Sequence, residues 1–147
     1  MRQHLIAGLI ALAGTIPACA QTNQYTVRGS DKSVGVDGVI TIKPQSEDVN
    51  VVSVELVNLP PPERHDKSKK VFVVWITTPD GTPIRAGRLA YDADARIGTL
   101  QATTPNDQVF VQVTAEEDSV VAKPSDFVLV SKHVALRREG TVSDVSM

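Results

Sequence analysis

The sequence has a single cysteine, Cys19, so it can form neither an intrachain disulfide nor a cysteine-based zinc cage. Aromatic residues are only 4% of the chain, which leaves an aliphatic core as the only option, and valine dominates it. Positive charge is scarce as well. Fifteen Lys and Arg stand against seventeen Asp and Glu, for a net charge of −2. Such a chain lacks the dense cationic face that displaces counterions from nucleic acid, and none is expected as a partner. Beyond the N-terminal leader, no apolar run exceeds the six residues 71–76, far short of the roughly 20 needed to span a bilayer, so no membrane span is expected in the mature chain. The G-x-S-x-G and S-x-x-K patterns of nucleophilic catalysis are missing, as is a glycine-rich phosphate cradle. No catalytic, cofactor-binding or metal-ligating residue is assigned, no cofactor is expected, and the chain is read as non-enzymatic.

What is present starts with an address. Met1, Arg2, Gln3 and His4 form a short head with one firm positive charge. An apolar run follows over 5–13, then the helix breakers Gly14, Thr15 and Pro17, then Ala18, Cys19 and Ala20. This is the three-part form of a secretory signal peptide over residues 1–20. Two processing schemes are open. Cleavage after Ala20 would release a soluble chain starting at Gln21. Alternatively, Ile16-Pro17-Ala18-Cys19 has the form of a bacterial lipobox, and Cys19 would become the lipidated first residue. The expected location is extracytoplasmic, periplasmic or secreted, with a membrane anchor in the second case.

With 147 residues in all, the chain is long enough for one domain and hardly two, and one is expected after the leader. Apolar residues alternate at a spacing of two over 39–43, 52–56, 109–114 and 127–131. Residues 71–76 are apolar on both faces, as in a central strand. Shorter candidates lie at 25–28, 84–90 and 96–102. Pro79-Asp80-Gly81 reads as a hairpin turn, and Asp92-Ala93-Asp94 as a plain turn. Pro60-Pro61-Pro62 opens a loop running to Lys70. No stretch shows a clear helical period. The expected fold is an all-β, antiparallel immunoglobulin-like sandwich of seven or eight strands over 21–137, followed by a polar, flexible tail over 138–147.

The block 71–134 carries Trp75, Pro79, Asp80, Gly81, Gly87, Val113, Thr114, Glu116 and Pro124 in an order that resembles the extracytoplasmic domain of bacterial anti-sigma-K-type factors. It is also similar to small bacterial envelope proteins. The resemblance implies an immunoglobulin-like sandwich outside the cytoplasm. Sigma-factor inhibition does not carry over, because the cytoplasmic domain and membrane span of such a factor have no counterpart here. A sensory accessory subunit of an envelope sigma/anti-sigma system is the alternative it suggests.

Individual residues have modest readings. Trp75 is expected to plug the core of a central strand. Glu116, Glu117 and Asp118 read as a solvated loop end and not as a calcium loop. His65 and His133 stand 68 positions apart with no carboxylate or cysteine at ligand spacing, and a metal-dependent enzyme would require them to meet. The segment 63–70 is locally +2 and is the one surface stretch singled out for interaction, through Arg64, His65, Lys67, Lys69 and Lys70. Its expected partner is an envelope protein, a cell-wall polymer or a membrane surface.

Overall fold

The computed structural model describes residues 22–137. The leader, Cys19 and the tail 138–147 lie outside the described residues. The chain forms β1 (Asn23–Arg28), β2 (Asp37–Ser46), β3 (Val49–Val57), the single helical turn α1 (Pro62–His65), β4 (Val71–Thr77), β5 (Pro83–Arg88), β6 (Ala90–Asp92), β7 (Ile97–Thr104), β8 (Gln108–Glu116) and β9 (Val128–Ala135). Two antiparallel sheets result, in the orders β1-β2-β3-β7-β6 and β5-β4-β8-β9. The order β2-β3-β7-β6 against β4-β8-β9 is the A-B-E-D against C-F-G arrangement of the immunoglobulin sandwich. β1 extends the first sheet and β5 the second.

Alternation builds the interior. Ile40 and Ile42 from β2, Val52, Val54 and Leu56 from β3, and Val109, Val111 and Val113 from β8 all point between the sheets and are buried. Each such side chain contributes about 1.5–3 kcal/mol of transfer free energy. β4 is apolar on both faces because both are covered. Phe72, Val74 and Ile76 join the main core, while Val71, Val73 and Trp75 form a second, smaller core with Val121 on the opposite face of their sheet.

The described residues hold nine strands because the stretch 84–90 breaks in two. At Leu89 the chain crosses from one sheet to the other; this residue is buried, and its N–H donates to the Phe72 carbonyl at 2.9 Å. The segment 60–70 is likewise not loop throughout, since it contains α1. The hairpin between β4 and β5 turns through Gly81, whose φ of +88° is a conformation that favours glycine. Asp80 accepts from the Thr78 hydroxyl and the Thr82 N–H there, and these bonds hold its carboxyl below the usual carboxylate range.

The edges are handled differently on the two sides. On one side β1 is tied to β9. The Tyr25 hydroxyl donates to the Ala135 carbonyl at 2.8 Å and accepts from the Ala135 N–H at 3.0 Å. Farther along, Ser30 and Ser33 donate to the carbonyls of Val128 and Leu129. On the other side β6 is so short that it pairs only with Ile97, Gly98 and Thr99, and residues 100–104 of β7 pair with β3 alone. Across that gap β5 carries Pro83, Arg85 and Arg88, residue types that discourage further strand addition. Tyr25→Phe removes both hydroxyl bonds of the tied side while preserving the ring. It should lower stability by about 1–2 kcal/mol in a urea titration with an unchanged m-value.

Candidate functional site

Pro61 and Pro62 set the geometry of the basic segment. Proline has no N–H to leave unpaired, so Pro62 suits the first turn of α1, which ends at Asp66 in an extended conformation. The Asp66 carboxylate then accepts from the Ser68 hydroxyl at 2.7 Å and the Ser68 N–H at 2.8 Å. These bonds, with a smaller contribution from Lys69, hold its carboxyl below the usual range. The tight turn directs His65 back onto the sandwich.

There the imidazole meets two phenyl rings edge-on, Phe72 at 6.0 Å and Phe127 at 5.9 Å between centroids. Its Nδ1 lies 3.3 Å from the Lys32 carbonyl oxygen, and its Nε2 is buried without a hydrogen-bond partner among the described residues. Phe127 also draws two ammonium groups. Lys32 Nζ lies 5.2 Å and Lys69 Nζ 5.9 Å from its centroid, both within cation–π range. Lys32 Nζ is further fixed by donating to the Asp126 carbonyl at 2.9 Å. Behind this cluster Phe72 packs edge-on against Tyr91 at 5.2 Å, and desolvation pushes the Tyr91 phenol up.

Of the five residues singled out in sequence, the fold thus gathers His65 and Lys69 around one ring. Arg64, Lys67 and Lys70 are exposed beside them. Lys70 is anchored through its N–H, which donates to the Glu116 carbonyl. Sequence reasoning missed Lys32 and Phe127. Lys32 comes from the β1–β2 connection, more than thirty positions upstream, and the bonds of Ser30 and Ser33 to β9 bring that connection to this end. No local pattern announces that placement.

His133 lies elsewhere. β4 and β8 pair in register from Val71 with Glu116 to Thr77 with Phe110, and Phe110 in turn faces His133 on β9. His65 sits at the first end of this register and His133 at the other, so the two imidazoles cannot share a metal ion. Among the described residues no group of three or more His, Cys, Asp or Glu side chains is placed to hold one. Asp92 closes a turn by accepting from the N–H groups of Asp94 and Ala95.

The outer face of the β4–β8 pair locates one expectation and corrects another. Trp75 is buried, but in the second core and not between the sheets. Glu116 is only 4% exposed, unlike its exposed neighbours Glu117 and Asp118, so the acidic triplet is not uniformly a solvated loop end. A polar chain explains both. Trp75 Nε1 donates to Thr114 Oγ1 at 2.8 Å, and Thr114 Oγ1 donates to Glu116 Oε1 at 2.7 Å. The same carboxylate oxygen accepts the Ser125 N–H at 2.8 Å, which pins the loop 117–127 over Trp75.

No protein-family model, curated protein or solved structure matches this chain.

Proposed function

We propose that this protein is an exported, non-enzymatic binding module of the cell envelope, and that it meets phosphate-bearing anionic surfaces through the cationic end around Phe127. The observation that carries the reading is the convergence of Lys32 and Lys69 on one aromatic ring, from connections far apart in sequence. A solvated charge run has no need of such placement. Arg64, Lys67 and Lys70 widen the same surface, and the aromatic face steadies the ammonium groups without neutralising them. Export is supported by the leader pattern over 1–20.

The test is co-sedimentation of the processed protein with vesicles rich in phosphatidylglycerol, with phosphatidylcholine vesicles as the neutral control. Binding to the anionic vesicles alone is expected. A surface lysine contributes about 1 kcal/mol near such a membrane, so Lys32→Gln with Lys69→Gln should weaken binding about 30-fold. Equal binding by the double variant, or by both vesicle types, would remove this reading.

A further inference from the structure

At the end of the second sheet away from Phe127, a cavity of about 400 Å³ opens beside the β4–β5 hairpin. It falls within the range of small-ligand sites, about 300–1,000 Å³. One wall is a ring pair. Phe110 and His133 face each other across β8 and β9 with centroids 4.5 Å apart and planes 39° apart. Phe110 is half-buried and His133 exposed. Thr77 continues the same row on β4, Gln108 lies two positions before Phe110 on its strand, and Pro79 contributes the hairpin side.

The chemistry of this lining is selective. It contains no carboxylate, ammonium or guanidinium group. A strongly charged ligand would therefore lose its hydration without finding a counter-charge. The Gln108 amide, the Thr77 hydroxyl and the His133 ring nitrogens make no hydrogen bond with the described residues, so a purely apolar ligand would strand them. The ligand that satisfies both conditions has an apolar face for the rings and a rim of neutral donors and acceptors. A pyranose ring is built this way, with C–H groups on its face and hydroxyls around its edge.

We infer that the cavity bounded by Phe110, His133, Gln108 and Thr77 is a binding site for a neutral sugar ring of a glycan. It is separate from the cationic end in position and in ligand charge, and it does not depend on that end's function. Unlike the Phe127 cluster, it would engage uncharged carbohydrate, with ring contact for affinity and the amide and hydroxyl groups for orientation.

The experiment is a two-dimensional amide NMR titration of the processed protein with tri-N-acetylchitotriose, run in parallel with the acidic polymer polygalacturonate. Saturable shifts confined to residues 77–81, 108–110 and 133–135 are expected for chitotriose, with a Kd on the order of 1 mM, and none there for polygalacturonate. Phe110→Ala should weaken binding at least about tenfold, equivalent to losing one stacking contact of roughly 1.4 kcal/mol. Gln108→Ala, an exposed change that leaves the rings in place, should weaken it severalfold and keeps the test valid if the first variant folds poorly. Lys32→Gln with Lys69→Gln should leave the titration unchanged, which separates this site from the anionic-surface reading. No saturable shift with chitotriose, shifts centred on Phe127, or equal affinity in Gln108→Ala would overturn the assignment.

Discussion

Trp75→Ala should destabilise the domain by about 3–5 kcal/mol, the range for truncating a fully buried tryptophan. The side chain is 1% exposed and is the largest member of a core that otherwise holds only valines. Its removal leaves a cavity that Val71, Val73 and Val121 are too short to fill, and it strips Thr114 Oγ1 of the Nε1 donor. For a chain of this size the melting temperature should fall by roughly 10–20 °C, read by circular dichroism. Trp75→Phe separates the two effects. It keeps most of the ring volume, loses the donor, and should cost about 1–2 kcal/mol. A melting temperature unaltered by Trp75→Ala would mean that the indole is a surface feature and not the centre of the second core.

Glu116→Ala is the second large loss. It removes the acceptor of two donors, the buried Thr114 hydroxyl and the half-buried Ser125 N–H. An unsatisfied buried donor costs about 1–3 kcal/mol and the loss of a half-exposed hydrogen bond about 0.5–1.5 kcal/mol, so the variant should cost about 1.5–4.5 kcal/mol. Glu116→Gln keeps an oxygen at the same place and should cost much less. Part of the loss should be local. With the Ser125 N–H no longer held by the carboxylate, the loop 117–127 loosens over Trp75, and its amide hydrogens should exchange faster than in the parent protein. Because Trp75, Thr114 and Glu116 lie on one chain of hydrogen bonds, the double variant Trp75→Ala with Glu116→Ala should lose less than the sum of the single losses. Strict additivity would show that the indole and the carboxylate act independently.

The strands were legible where one face is wet and the other dry. β2 and β3 alternate cleanly because each lies between neighbours in a sheet with one solvent side, and β8 does so over its first six residues, before the second core covers its outer face; Val52, Val54, Leu56, Val109, Val111 and Val113 are buried as one inward set. β4 was legible as central by its unbroken apolar run, but that run does not say what covers its second face. The cover is a loop held by the Glu116 carboxylate, by Ser125 Oγ on the Ala115 carbonyl and by Arg85 on the Ser119 carbonyl, and the first acid of an acidic triplet carries no period that tells it from its exposed neighbours. β9 was blurred for another reason. Its register against β8 shifts between Val113 and Thr114, so Leu129 and Val130 are both buried where alternation would send one outward. The β5–β6 break was invisible because crossing between sheets at Leu89 needs no proline or glycine at that residue. At the candidate sites, Lys69 and His65 were found through local charge. Lys32, Phe127 and the Phe110–His133 pair were not found, because these are placed by strand register and by the tie between β1 and β9, which only long-range pairing determines.

That tie has a consequence for how the molecule comes into being. Tyr25 and Ala135 are 110 positions apart, and each needs the other. A polypeptide that emerges from the ribosome N-terminus first exposes β1 early, then waits for β9 for roughly 5–20 s at ordinary synthesis rates. Until then the first hairpins hold an unfinished half-sandwich with its valines uncovered, and completion is a late, all-or-none event set by the last strand to arrive.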